Sequence, residues 1–380
     1  MHSNPFTDAE LAARVAAFRR LVAAQGLDVA LVSTPENVFY LTGLDHWGYF
    51  APHLLIVPAD GEMVLVTRAM ERVSIEKQVR NAAFRGHPDT ETAADLAGHI
   101  LTEMKPRRIG IESWSAGLSH GFAARLQASV PAEWTDITGM IDRMRLIKSQ
   151  AEQALMRKAA GVTDAAAAAA IAAIHDGASE REVAAECHAA MIRAGGDPVG
   201  FGPFIRPGSR LGEEHATWGN GRYPAGEPVF LELSGCVSRY HAPLGRLVHV
   251  GGISDADAAM AETARQAIDA VIAALKPGTT AGAVYQAWQD VVDAAGLPNY
   301  RRHHCGYLVG IGVPPSWTGG NKVTGLRAGS DLAIEAGMSF HILSWLMGTG
   351  RGDYFVSNAV LLADSGAEVL TRTPPGPILR

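Results

Sequence analysis

Glu232 lies in the apolar run Val229-Phe230-Leu231-Glu232-Leu233, an unusual place for a carboxylate. Burial there raises its pKa, and a nearby cation would hold it ionised. An ionised carboxylate in a dry pocket can attack an amidine or amide carbon, or activate water to do so. The plainer reading is an ion pair with Arg239 or Arg246. His215 follows Glu213 and Glu214 and precedes Trp218. It reads as a proton shuttle able to protonate a leaving nitrogen, or as an exposed loop histidine. His303, His304 and Cys305 form a polar cluster ahead of Gly306. Cys305 with His304 could make a nucleophile pair, but nothing in the sequence supplies an electropositive setting for a thiolate. A core histidine beside a buried thiol fits equally well. Tyr240, His241, Tyr307 and His341 sit on strand-like segments. They are candidates for hydrogen bonds to substrate or to developing charge, or else half-buried strand packing. Trp47, Trp317 and Trp345 would wall a pocket for a cationic or delocalised planar ligand, or belong to a core. Arg351, in Arg351-Gly352-Asp353, would clamp a carboxylate, or merely decorate a surface loop.

The elements that must position these residues follow from periodicity and punctuation. Glu10 to Gln25 is an apolar-periodic helix ended by Gly26. Asp28 to Ser33, Val38 to Thr42 (closed by Gly43) and Arg108 to Glu112 read as strands. His53 to Val57 and Met63 to Val66 flank Ala59-Asp60-Gly61, a hairpin signal. Together these predict an α/β domain around a central sheet over residues 1–143. Met144 to Lys148 is the bridge to a second domain, residues 144–380, which opens with a long helix from about Gln150 to His175. The run Ala165 to Ala170 favours that helix but is too small to make a large core contact alone.

The second domain carries an internal echo. A helix, Asp176-Gly177-Ala178-Ser179, a helix and Ala194-Gly195 are matched by a helix, Pro277-Gly278-Thr279-Thr280, a helix and Ala295-Gly296. The interval from Gly177 to Gly195 equals that from Gly278 to Gly296. Ser179 with Glu182 reads as a capping box, and Ser254 begins a similar Ser-x-x-Asp start. Helix hairpins with glycine turns also recur by chance. The alternative is a duplicated α-α-β-β unit, two copies of which would enclose a cavity between curved sheets.

Composition narrows the function classes. The 380 residues fit two domains, and 47% apolar with 19% charged is ordinary for globular cores. The net charge of −6, with no basic block, argues against a nucleic-acid partner. No apolar run is long enough to span a bilayer, and the first residues lack a secretory signal pattern. Cys187, Cys236 and Cys305 are too few and too scattered for a disulfide framework or zinc ribbon. The expectation is a reduced, cytoplasmic enzyme.

Several segments, taken in order, resemble the creatinase, prolidase and aminopeptidase P superfamily, which has the pita-bread fold. They are Asn37-Val-Phe-Tyr-Leu-Thr-Gly43, Ile109-Gly-Ile-Glu112, Arg145-Leu-Ile-Lys148-Ser with Glu152 and Met156-Arg157, and Glu335-Ala-Gly-Met338. The resemblance implies five ligands for two divalent ions: two Asp, one His and two Glu. This chain has Glu232, Pro243, Tyr307, Leu343 and Ser357 there, so no metal ligands and no cofactor are expected. His304-Cys305 lacks a ligand spacing. An alternative register near Asp353 would alter that reading. Glu232-Leu-Ser-Gly-Cys236, Arg239-Tyr-His-Ala-Pro-Leu244 and Cys305-Gly-Tyr-Leu-Val-Gly-Ile-Gly312 resemble a metal-free branch that includes creatinase and, more closely, ectoine hydrolase. His215 aligns with the catalytic histidine of creatinase. Gly245 or Leu244, and Leu343, replace the carboxylates that hold creatinase's guanidinium substrate, so creatine is not the expected substrate.

What this implies is hydrolysis of a non-peptide C–N bond in a small, nitrogen-rich carboxylate, for instance a cyclic amidine. Glu232 would attack or activate water, His215 would protonate the departing nitrogen, and Tyr307 and His241 would steady the charge. Tyr240, His304, His341, Trp345 and Arg351 would contact substrate. Two rival readings stay open: a Xaa-Pro metallopeptidase, and a non-catalytic binding protein. The resemblance also implies a homodimer in which Tyr40, Trp47 or Tyr49 reaches into a partner's pocket.

Overall fold

A computed structural model describes residues 4–319 and 323–380. The chain divides into two compact units between Arg145 and Leu146. The first contains, in order, α1 (Asp8–Ala24), β1 (Val29–Val32), α2 (Pro35–Thr42), β2 (Leu54–Pro58), β3 (Met63–Arg68), α3 (Arg72–Gln78), β4 (Ala82–His87), α4 (Ala93–Met104), β5 (Arg108–Ile111), α5 (His120–Ser129), β6 (Glu133–Asp136) and α6 (Met140–Met144). Its mixed sheet has the order β4-β3-β2-β1-β5-β6. β2 and β3 form the hairpin expected around Gly61, while β1, β5 and β6 run parallel. A core of Val29, Leu31, Ile56, Val66, Ala97 and Leu101 joins this sheet to α4.

One expected strand is a helix. Val38 to Thr42 lies inside α2, which starts with Pro35 at its first turn and ends where Gly43 adopts φ 75°. The helix is buried from Glu36 through Thr42, so its apolar run carries neither a 3.6 nor a 2.0 period to distinguish helix from strand. The flanking proline and left-handed glycine decide it. Glu112 serves the start of this helix. Its carboxylate accepts from the Ser33 and Thr34 backbone N–H groups at 2.7 and 2.8 Å and from Asn37 Nδ2 at 2.6 Å.

The second unit contains α7 (Gln150–Ala173), α8 (Glu180–Arg193), β7 (Phe204–Pro207), β8 (Pro228–Val237), β9 (Tyr240–His249), α9 (Asp255–Ala274), α10 (Ala281–Ala294), β10 (Gly306–Leu308), β11 (Ser339–Leu346), β12 (Tyr354–Ala363), β13 (Gly366–Val369) and β14 (Ile378–Leu379). The echo in the sequence is a structural repeat of two helices followed by antiparallel strands. Gly177, Gly195, Gly278 and Gly296 all have φ between 75° and 86°. The two halves do not form separate sheets. They merge into one, in the order β10-β11-β12-β9-β8-β7, through the pairing of Ser357 with Gly245.

Strand alternation gives this sheet two faces. Val229, Leu231, Leu233, Leu244 and Val248 pack against Ala166, Ala167, Ala170 and Val183 of α7 and α8. The alanine run is therefore part of the core, because small residues let α7 approach the sheet closely. A Cβ on Gly235 would lie 2.6 Å from the Ala159 carbonyl oxygen. Thr163 fastens this approach: its hydroxyl accepts from the Gly235 N–H at 2.7 Å and donates to the Ala242 carbonyl at 2.7 Å. The expected capping box at Ser179 does not form, and the Ser179 side chain caps nothing. Its backbone bridges Arg222, as the backbone of Thr280, which does cap its helix, bridges Ala333. The reciprocal box is at Ser149 and Glu152, and Ser254 caps α9 as expected.

Thr163→Val keeps the shape of the side chain but leaves the Gly235 N–H unpaired. It should lower stability by about 1–3 kcal/mol, read from urea unfolding; an unchanged midpoint would show that the bond contributes nothing.

Candidate active site

The face opposite the helices carries the candidate site. Register places Phe204, Glu232, Gly245, Ser357 and Leu343 in one row across β7, β8, β9, β12 and β11. Glu232 is the only carboxylate in that row. A Cβ on Gly245 would lie 2.2 Å from the Phe355 ring and 2.7 Å from Ser357 Oγ, so no side chain fits beside Glu232 at this point. Among the described residues no N–H or O–H group hydrogen-bonds to Glu232; its nearest polar partner is His341 Nε2, 4.0 Å from Oε1. Burial is the main cause that pushes its pKa up, to about 7. Arg206 opposes the rise and Glu214 adds to it. The side chain still keeps 17% of its surface exposed, so it is not sealed into the core.

A directed chain of hydrogen bonds stands beside it. Trp317 Nε1 can only donate, and it does so to the Tyr307 oxygen at 3.1 Å. The Tyr307 hydroxyl therefore donates to His341 Nδ1 at 2.8 Å. The His341 proton is left on Nε2, which donates to Ser357 Oγ at 2.6 Å. Burial pushes His341 down to about 3, so it stays neutral at physiological pH. Burial likewise raises the Tyr307 phenol, which remains protonated. The result is a fixed N–H and a serine hydroxyl close to the Glu232 carboxylate.

Two residues along the strands, Phe230, Trp345 and Phe355 form an aromatic floor with ring centroids 5.0–5.8 Å apart. Arg206 lies over Phe230 at 4.2 Å. Its guanidinium donates to the carbonyls of Arg210, Leu211 and Ala216, tying down the loop that carries Glu214 and His215. His215 is exposed and stacks on Phe201, with its edge to Phe204, the cross-strand neighbour of Glu232. Its φ of 57° is uncommon for a residue with a side chain, a strain often retained where a side chain must be aimed.

The structure thus brings Glu232, His215, Tyr307, His341, Trp317 and Trp345 together, with His304 edge-on to Tyr307 at 5.4 Å. Other candidates lie elsewhere or are fully engaged. His241 shares the face but stands opposite Cys236, four residues along β9 from Gly245. Its Nδ1 donates to the Arg239 carbonyl at 2.9 Å and its Nε2 accepts from the Gly200 N–H at 2.8 Å, which leaves no donor for substrate. Tyr240 faces α7 and donates to Glu152 at 2.7 Å. Arg351 is exposed and donates to the Gly296 carbonyl. Asp353 precedes β12 and accepts from the Thr349 N–H at 3.2 Å. Cys305 is buried, which pushes its thiol up to about 12 and removes it as a nucleophile. Tyr40 is buried in the first unit under Arg14, and Trp47 is exposed there. The cation opposing burial at Glu232 is Arg206, not Arg239 or Arg246. The sequence signal for it was the alternation Phe204-Ile205-Arg206, which puts both side chains on one face.

Comparison with known proteins agrees with this architecture. Residues 154–364 match the model of metallopeptidase family M24, and residues 14–147 match the creatinase/prolidase N-terminal domain. The chain is 27% identical to an ectoine hydrolase of Halomonas elongata, covering 98% of each chain. It is 25% identical to a Xaa-Pro dipeptidase of Pyrococcus horikoshii, covering 91% of this chain and 93% of that one. The solved structure of a Xaa-Pro dipeptidase from Bacillus anthracis superposes with a TM-score of 0.86 at 20% identity, covering 97% and 100%, which shows the shared fold. A metallopeptidase site calls for clustered carboxylate and imidazole donors. The row here does not fit that need: Gly245 and Leu343 offer no donor, and both His341 nitrogens are hydrogen-bonded. Among the described residues no three His, Cys, Asp or Glu side chains group as a metal site would require.

The raised pKa of Glu232 fixes a sign for stability. Between 4.5 and about 7 the unfolded chain loses this proton while the folded chain keeps it, so stability present at low pH is lost as pH rises through that window. Glu232→Gln removes the loss. The variant should gain of order 2 kcal/mol over the parent at pH 8.5 relative to their difference at pH 4, measured by urea unfolding. An equal difference at both pH values would contradict the raised pKa.

Proposed function

This chain belongs to metallopeptidase family M24, and from that premise we propose that it is a metal-independent hydrolase of a non-peptide C–N bond in a small, nitrogen-rich carboxylate, with ring opening of a cyclic amidine such as ectoine as the specific reaction. The observation that carries this reading is the lone carboxylate of Glu232, on a partly exposed side chain, in a row with no other carboxylate or imidazole. The likeness over the full chain to an ectoine hydrolase supports the choice of substrate.

In this mechanism ionised Glu232 removes a proton from water as that water attacks the amidine carbon, or attacks the carbon itself, expelling the nitrogen to leave an acyl ester that water then cleaves to free Glu232. In the water route the new C–O bond forms, the C–N bond breaks, and the departing nitrogen takes a proton from His215 on the exposed side of the site. The Ser357 hydroxyl, held by the His341 N–H, stabilises the charge that builds beside Glu232, the part first expected of His241. The aromatic floor suits the flat, delocalised face of an amidine. The proposal also includes a homodimer, with exposed Trp47 at the contact.

Protein purified without added metal should open ectoine, with no loss in EDTA and no hydrolysis of Xaa-Pro dipeptides. Glu232→Gln should lose about 10²–10⁴ in kcat/KM. The parent's kcat/KM should rise with pH through about 7, as Glu232 ionises. Xaa-Pro hydrolysis that depends on manganese or cobalt would instead establish the dipeptidase reading, which the Pyrococcus horikoshii relative favours.

A further inference from the structure

Each end of the aromatic floor is capped by a guanidinium, and the two are bonded very differently. Arg206, over Phe230, spends its donors on the carbonyls of its own loop. Arg302 lies over Trp345 at 5.2 Å. Among the described residues it forms no side-chain hydrogen bond and no ion pair, and its Nε is buried without an acceptor. Two residues on, His304 Nδ1 is also buried without a partner, on a ring set against Tyr307. Buried donors are normally satisfied, because each unmade bond costs about 1–3 kcal/mol. Arg302 Nε can only donate, and in its Nδ1–H tautomer His304 would be a second donor two residues away, so that one acceptor meets both.

The backbone that presents them is fixed from both sides. Tyr285 donates to the Arg302 carbonyl at 2.7 Å, and Gln289 donates to the Tyr300 carbonyl at 3.0 Å. Beyond the pair, the Cys305 N–H donates to the Leu326 carbonyl and the Leu343 N–H to the Cys305 carbonyl. The side chains are therefore aimed in advance rather than left on a free loop. A guanidinium fork matches the two oxygens of a carboxylate, and stacking on an indole leaves that fork in plane and available. Trp345 is two residues along β11 from Leu343, and Phe230 two residues along β8 from Glu232. The offset along the strands is about 7 Å, a span that a single-ring molecule or a dipeptide can bridge.

We propose that Arg302, assisted by His304, is the anchor for a substrate carboxylate, which holds the scissile carbon toward Glu232. The chemistry assigned to Glu232 rests on the hydrolase reading above; the anion site does not. It also takes over the role first considered for Arg351.

The test labels arginines of the unmodified protein with phenylglyoxal and follows each by mass spectrometry, in sodium acetate or in acetamide at matched ionic strength. Acetate should slow labelling of Arg302 at least about threefold, by occupying the fork, and His304→Ala should weaken that protection. Equal labelling of Arg302 in acetate and acetamide would overturn the proposal. With ectoine as substrate, Arg302→Lys should raise KM about tenfold with kcat within about threefold, and the carboxamide of ectoine should show no such penalty. Acetate protection without ectoine turnover would sink the proposed substrate and leave the anion site standing.

Discussion

Burying a carboxylate with no hydrogen-bond donor is costly, and proteins meet the cost by pairing the charge or by keeping the proton on. Glu232 is held in that condition by its neighbours. Gly245 brings no side chain to pair with it, Leu343 gives apolar surface, and the His341 N–H is already committed to Ser357. Arg206 lies close enough to oppose the burial without bonding to the carboxylate. A carboxylate kept in this balance changes charge near neutral pH, which is where a catalytic base is useful.

The seam between the two halves of the second unit makes this arrangement possible. β9 and β12 meet at Gly245 and Ser357, where any side chain on Gly245 would strike Phe355. Close approach at the seam aligns residues from both halves of the repeat into one row. The helices contribute from behind: Gly235 and the alanines of α7 let the helix lie close to β8, and Thr163 satisfies the backbone there. Arg246 secures the other half. Buried and, among the described residues, without a carboxylate partner, it donates to the carbonyls of Gly245, Ser357, Thr373 and Pro374 and to Asn358. The last residues of the chain are thereby tied to the strands that flank Glu232.

Hydrogen-bond direction separates residues that look equivalent by type. His241 and His341 are both buried histidines on the same face, both neutral. The first has both nitrogens bonded to backbone and supports the loop at Gly200. The second is polarised by Tyr307 and turns its remaining proton toward Ser357 and Glu232. Arg206 and Arg302 divide in the same way, one bonded to three carbonyls and the other, among the described residues, to none.

From the sequence alone, the α/β class, the repeat in the second half and Glu232 as an acid in an apolar strand could all be read, because each depends on local periodicity or on one residue against its immediate neighbours. The substitutions at Tyr307, Leu343 and Ser357 were also visible, as departures from a familiar pattern. Local pattern failed at α2, where an all-apolar run has no period to read, and at Ser179, whose side chain caps nothing. It could not show that Arg206 rather than Arg239 or Arg246 faces Glu232, nor that Asn37 and Glu112 meet, since those pairs depend on register between strands far apart in the chain. Which polar groups remain unpaired, at Arg302 and His304, is settled only when every partner around them is in place, and tertiary packing alone decides that.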